Sequence, residues 1–154
     1  MDTNEIVIFT DGSSKGNPGP GGWAAIIKRN GKVEEMGGGE EYSTNNRMEL
    51  TAAIEALKEI SVTNAKIQIN SDSKYLIDGI TKWIHNWKKY GWKTKDRKKV
   101  LNRDLWEMLD KLVTGKNIRW KHVAGHTGHP ENERCDEIAQ AFAEGKTPKL
   151  NDAR

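Results

Sequence analysis

Cysteine is almost missing from this chain. Cys135 is the single one among 154 residues, so no disulfide can close within the chain, and nothing in the composition points to an oxidising compartment. The lone thiol reads as a small buried side chain. Long apolar runs are missing too: no stretch approaches the roughly 18 apolar residues of a membrane span. The opening MDTNEIVIFT puts no basic flank before an apolar run, so a cytoplasmic protein without a membrane partner is expected. No internal repeat or low-complexity tract interrupts the sequence, and its length suits one domain with one sizeable core. Strong net charge is also lacking, since 25 Lys+Arg against 22 Asp+Glu leave only +3.

The distribution of that charge says more than its sum. Residues 82 to 99 hold eight bases (Lys82, Lys88, Lys89, Lys93, Lys95, Arg97, Lys98, Lys99) and one acid, Asp96, so this stretch carries +7 and the remainder −4. A basic segment on an otherwise acidic body is the footprint of a polyanion-binding element. An isolated Lys-rich run is more often a solvated face. Here Trp83, Trp87, Tyr90 and Trp92 interleave with the bases, which favours nucleic-acid contact.

Along the chain, Glu5 to Thr10 (EIVIFT) is apolar on both alternating faces and reads as a central buried strand ending at Asp11-Gly12. Trp23 to Arg29 and Lys32 to Met36 flank Asn30-Gly31, a strong hairpin signal. Ser43 and Thr44 offer N-cap hydroxyls for a helix over 44 to 60, in which Leu50, Ala53, Ile54 and Leu57 form one stripe. Ala65 to Asn70 is a fourth strand. Ser71-Asp72-Ser73 caps a helix with Leu76, Ile80, Trp83, Ile84 and Trp87 on one side. Leu105, Met108, Leu109 and Leu112 mark a further helix, Ile118 to Val123 a fifth strand, and a last helix starts near Glu131 and buries Cys135, Ile138, Ala139 and Phe142. This order gives an α/β fold, a five-stranded mixed sheet flanked by helices. A helical crossover makes the fourth strand parallel to an earlier one. If that partner is the first strand, Asp11 and Asp72 stand side by side at the carboxyl ends where ligands bind in such sheets.

Four acids stand out: Asp11, Glu49, Asp72 and Asp136. Asp11 shares a strand face with Val7 and Phe9, and Glu49 lies on the stripe of Ala53, Ala56 and Ile60, so both carboxylates point toward packed surface. A charge there is costly unless paired or metal-bound. Three of them have ordinary readings: a cap for Asp72, a first-turn acid for Asp136, a turn residue for Asp11. Their shared strand-end placement outweighs those readings. An all-oxygen set suits Mg²⁺ far better than zinc, and two such ions about 4 Å apart serve phosphodiester hydrolysis.

Three other signals weigh less. His122, His126, His129 and Cys135 match no Cys/His zinc spacing. The run Gly12 to Gly22 resembles a phosphate loop only in glycine content, leads into a strand, and reads as a shaped turn able to approach a backbone. His126, in a glycine-flanked loop before the Asp136 helix, is a candidate for proton transfer to a leaving group.

The segments Phe9-Thr-Asp-Gly-Ser, Gly16-Asn-Pro-Gly-Pro-Gly-Gly, Thr44-Asn-Asn-Arg-Met-Glu-Leu, Ser71-Asp-Ser, Trp83-Ile-His-Asn-Trp-Lys-Lys and Gly125-His-Thr-Gly-His-Pro-Glu-Asn-Glu-Arg-Cys-Asp together resemble bacterial type 1 ribonuclease H, in order from about residue 5 to 144. The resemblance implies a ribonuclease H-like fold and a catalytic domain over 1 to 144, with a flexible tail expected over 145 to 154. It implies endonucleolytic hydrolysis of the RNA strand of an RNA/DNA hybrid, leaving 5′-phosphate and 3′-hydroxyl ends, with two Mg²⁺ ions that Mn²⁺ can replace. Asp11, Glu49, Asp72 and Asp136 take the metal roles, and His126 that of a mobile proton shuttle or product-release residue. Asn17, Asn45 and Asn46 would contact the hybrid, and Thr44 and Asn102 a phosphate of its DNA strand. Residues 82 to 99, with Trp83, Trp87, Lys88 and Lys89, would form the protruding handle that grips substrate. A monomer is expected. Two positions depart from the family pattern: Lys74 stands where glutamine is usual, and Tyr42 where an arginine can join the phosphate pocket.

Overall fold

The computed structural model describes residues 5–60, 64–124 and 129–151. Strands β1 (Glu5–Ser14), β2 (Gly19–Arg29) and β3 (Lys32–Ser43) form an antiparallel meander, followed by α1 (Asn45–Glu59) and β4 (Lys66–Ser71). Next come α2 (Lys74–Asp78), a π-helical turn (Gly79–Trp83), α3 (Ile84–Lys89), α4 (Arg103–Val113), β5 (Asn117–His122) and α5 (Pro130–Ala143). The sheet order is β3-β2-β1-β4-β5, with β4 parallel to both β1 and β5. β1 is therefore the central strand, and its doubly apolar sequence follows from burial on both faces. Asn30 and Gly31 both take positive φ, 53° and 73°, as the tight hairpin between right-twisted strands requires.

The meander strands run longer than the apolar pattern marks. Instead of a turn over the whole of Gly12 to Gly22, β1 continues to Ser14 and β2 starts at Gly19. Gly12, Gly19, Gly21 and Gly22 are strand residues kept bare by close packing, a cause that local sequence does not display. At Gly12 a Cβ would lie 2.4 Å from the backbone of Met48 and Glu49, so a side chain there would push α1 off the sheet.

One face of the sheet carries the larger core. Ile6, Ile8, Ile67 and Ile69 pack with Leu50, Ile54 and Leu57 of α1 and with Trp106 and Leu109 of α4. The other face holds a smaller cluster, Ala24 and Ile26 against Cys135, Ile138 and Ala139 of α5, joined by Phe9, Val33, Phe142 and Leu150. Cys135 is fully buried, its thiol 3.4 Å from the Phe9 carbonyl, and burial pushes that thiol well above its ordinary pKa.

The segment after α5 differs from the expected loose tail as far as Asn151. The Glu35 amide donates to the Asn151 carbonyl at 2.8 Å, the Asn151 amide donates to the Glu35 carboxylate at 2.8 Å, and Asn151 Nδ2 donates to the Val33 carbonyl at 2.7 Å. Arg134 of α5 forks onto both Glu35 oxygens (2.8 and 3.0 Å) and reaches the Lys149 carbonyl at 2.8 Å. Packing of Leu150 and these pairings with an edge strand outweigh the chain entropy that polar composition suggested.

Candidate active site

Asp11 and Asp72 reach one place because β1 and β4 lie parallel in register, Thr10 opposite Ser71. Glu49 arrives in the second turn of α1, which Thr44 starts by accepting a bond from the Arg47 amide. Asp11, Glu49 and Asp72 each present a carboxylate oxygen, and these atoms lie within 4.8 Å of one another. Asp11 is 4% exposed and Glu49 9%. Glu49 Oε1 has no hydrogen-bond partner among the described residues, whereas Asp11 Oδ1 accepts from the Gly12 amide at 2.8 Å. Burial, then the charge of Asp72, push the Asp11 carboxyl up to about 8, with a smaller contribution from Asp136. Glu49 is raised well above the usual range by burial, then by Asp11 and Asp72.

Two buried carboxylates and a half-buried third that repel one another are an arrangement a divalent cation resolves, and an oxygen-only donor set with an orphaned Glu49 oxygen fits a hard ion. Asp136 approaches from α5, on the sheet face to which Asp11 points, and its charge helps to raise the Asp11 carboxyl. Its Oδ2 accepts from Gln140 Nε2 at 2.8 Å, one turn along the helix. His122 Nε2 stands 3.2 Å from the Asp72 carbonyl oxygen. His126 lies outside the described residues.

A second group gathers at the start of α1. Asn17 Oδ1 accepts from the Asn45 amide at 3.0 Å, fastening the β1–β2 turn to the helix N-terminus, while Asn46 is exposed beside it. Thr44 and Asn102 are joined through Arg47, whose amide bonds Thr44 and whose guanidinium donates to Asn102 Oδ1 at 3.2 Å. Asn102 adopts a left-handed conformation, φ 60°. Tyr42, at 74% exposure, puts its ring into solvent two residues before Thr44.

In the basic segment the aromatic residues have a structural part that the sequence pattern did not separate from binding. Trp87 is half-buried, packing edge-on against Trp106 (5.3 Å between centroids) and beside Trp92 (6.5 Å). Trp83 is the more open ring, 39% exposed. Lys88 pairs with Asp110 at 3.1 Å, and Lys89 stands exposed over the Tyr90 ring.

Residues 3–144 match the family model described as RNase H. The chain belongs to the ribonuclease H family. It is 53% identical to a ribonuclease H of Maricaulis maris over 146 residues, 93% of this chain and 98% of the other. It is 52% identical to a ribonuclease H of Escherichia coli over 148 residues, covering 96% and 94%. Among solved structures it resembles LC9-RNase H1, a type 1 RNase H with the type 2 active-site motif, at TM-score 0.85 and 33% identity over 99% of this chain and 79% of that one. LC11-RNase H1, solved in complex with an RNA/DNA hybrid, shares the fold at TM-score 0.70 and 20% identity, covering 91% and 97%.

Two further residues that sequence reasoning missed are Tyr75 and Asn132. Tyr75 Oη accepts from Asn102 Nδ2 at 3.0 Å and from Trp106 Nε1 at 3.1 Å, so it ties the α4 cap to the aromatic core. Asn132, one turn before Asp136, is 4% exposed with its Oδ1 unpartnered among the described residues. Tyr75 belongs to no periodic stripe, and Asn132 reads as an ordinary first-turn polar residue; neither carries a local signal.

Proposed function

We propose that this chain is a metal-dependent endonuclease that hydrolyses the RNA strand of an RNA/DNA hybrid and leaves 5′-phosphate and 3′-hydroxyl ends. The observation that carries this reading is the convergence of the buried Asp11 and Glu49 with the half-buried Asp72 at the paired ends of β1 and β4, in a chain of the ribonuclease H family. Asp11, Glu49, Asp72 and Asp136 would hold two Mg²⁺ ions, with Mn²⁺ able to substitute. Bound there, such ions supply an activated water on one side of the phosphodiester and charge for the leaving oxygen on the other. The protein acts as a monomer in the cytoplasm.

The remaining tasks fall to the chain's own groups. Packing of α1 on Gly12 keeps Glu49 shielded from bulk water, which disfavours its charge until a cation compensates it. His126 passes a proton to the departing 3′-oxygen. The hybrid's minor groove meets small side chains and backbone at Asn17, Asn45 and Asn46, which suits sensing of 2′-hydroxyls more than base reading. Thr44 and Asn102 hold a phosphate of the DNA strand, and Trp83, Trp87, Lys88 and Lys89 support the duplex from the handle. Sequence preference is therefore weak.

The deciding experiment incubates an end-labelled RNA/DNA hybrid beside RNA/RNA and DNA/DNA duplexes, first with Mg²⁺ and then with EDTA. Cleavage of the hybrid's RNA strand alone, and only with metal, is expected. Equal cutting of all three duplexes, or hybrid binding without any cutting, would replace this reading by a general nuclease or by a binding protein on the same fold.

A further inference from the structure

β4 and β5 have one face on the larger core and one turned away from it. Ile67, Ile69, Ile118 and Trp120 turn toward the larger core. The opposite face is the one on which Phe9 meets α5, and α5 lies over β1, β2 and β3. In register, Phe9 stands opposite Asn70 and Asn70 opposite Lys121; one row back, Val7, Gln68 and Arg119 align in the same way. Arg119 and Lys121 are exposed on this face and make no ion pair among the described residues. Gln68 and Asn70 between them are tied inward, Gln68 Nε2 to Asn70 Oδ1 at 2.9 Å and Asn70 Nδ2 to the Ile8 carbonyl at 3.1 Å. Asn70 is buried and Gln68 half-buried, so the exposed part of this face is carried by Arg119 and Lys121 of β5; it is polar and positively charged, and it begins next to the catalytic acids. Asp72 is two residues past Asn70, so at about 3.3 Å per strand residue Lys121 sits roughly 7 Å back from the Asp72 row and Arg119 roughly 13 Å.

We propose that the exposed face of β5, through Lys121 and Arg119, binds phosphates of single-stranded RNA that continues beyond the duplex from the catalytic acids. This rests on the RNA-strand reading above. The strip runs down the sheet, away from the strand ends where a duplex is seated, so a stiff helix cannot follow it and a flexible single strand can. Neither strand offers this face an aromatic ring, since Trp120 is turned to the core, so the contact is electrostatic and indifferent to base identity. The strip ends where Glu5 faces Lys66 in register, which limits it to about two phosphates. Charge on an edge strand also discourages pairing with another chain, and that role alone predicts no effect on RNA affinity.

The test compares a short blunt hybrid with the same hybrid carrying a single-stranded RNA extension of about eight nucleotides on its 5′ or 3′ side, a span typical of such grooves. Affinity is measured in EDTA, independently of cleavage. One RNA extension should tighten binding by the wild type, and two phosphate contacts at a slope of about −0.7 each make that gain fall roughly sevenfold between about 50 and 200 mM salt. Arg119→Ala/Lys121→Ala should lose the gain yet bind and cut the blunt hybrid as before, while Arg119→Lys/Lys121→Arg should keep it. The proposal is overturned if neither RNA extension helps the wild type, if the alanine variant keeps the gain, or if an extension of the DNA strand gives the same gain. Failure of the wild type to cut the blunt hybrid would instead overturn the functional reading, with the affinity comparison still standing on its own.

Discussion

Asp11 sits where a negative charge is unwelcome, and its carboxyl is consequently held protonated up to about pH 8 in the metal-free protein. In the unfolded chain it ionises near the ordinary value of 3.8. Between those limits the folded state binds the extra proton, so this group's contribution to stability is complete below about pH 4 and is lost as pH rises through about 8. Thermal unfolding in EDTA should therefore show stability from this site falling across that window, and Asp11→Asn should flatten the fall. Added Mg²⁺ should raise the melting temperature more at pH 8 than at pH 5, because it compensates a charge present only at the higher pH. An equal metal-induced rise at both would mean the carboxylates are already ionised at pH 5. For the reaction, Asp11→Asn should nearly abolish cleavage with hybrid affinity retained, since shape persists while a ligand charge is gone. His126→Ala should lose about 10²- to 10⁴-fold in turnover, the usual contribution of one positioned acid or base.

At the scale of elements, the run from α2 to α3 is continuous in direction but changes its winding at the π-helical turn Gly79–Trp83. A Cβ on Gly79 would lie 2.1 Å from the Trp106 ring, which is fully buried. Gly79→Ala should cost about 1–3 kcal/mol by overpacking, read as a lower urea midpoint at constant m-value. It should also weaken hybrid binding, because Trp83 and Trp87 follow directly. Replacing Lys88, Lys89, Lys93 and Lys95 by Ala should flatten the dependence of log affinity on log salt by a little under one unit for every phosphate that is no longer neutralised. Single-turnover cleavage at saturating hybrid should stay near wild type. An unchanged slope would remove the basic segment from the binding surface. Most elements are legible in the sequence because their signals are local: the doubly apolar Glu5–Thr10, the Asn30-Gly31 hairpin, the α1 stripe, the strand-end acids. What escapes is set by distant partners. Gly12 is a strand residue because α1 presses on it, Trp87 is half core because Trp106 meets it, and Tyr75 matters through Asn102.

Across the whole molecule, α5 brings Asp136 to the site, and its outward side is fastened by Arg134, Glu35 and the segment reaching Asn151. Arg134 is shared with Glu137 of its own helix, and these carboxylates hold the guanidinium above its ordinary pKa. Glu35 is lowered, first by its hydrogen bonds from Arg134. Isolated surface ion pairs contribute about 0–1 kcal/mol. This one is bidentate and also anchors a chain segment, so Glu35→Ala should destabilise by about 1–2 kcal/mol. The accompanying change in native-state hydrogen exchange should concentrate in residues 145 to 151 and the neighbouring β3 amides. A loss confined to Arg134 would show that the segment holds by Leu150 alone.

That clasp has a bearing on how the molecule avoids its own kind. β3 is the outer strand of the sheet, and a row of unpaired amides and carbonyls there is a template on which another chain can add a strand. Asn151 occupies part of that row, bonding the Glu35 amide and the Val33 carbonyl. During synthesis β3 leaves the ribosome early and its cover emerges only after α5. A nascent or truncated chain thus passes through a period with a bare rim, when polymerisation, and not unfolding, is the hazard.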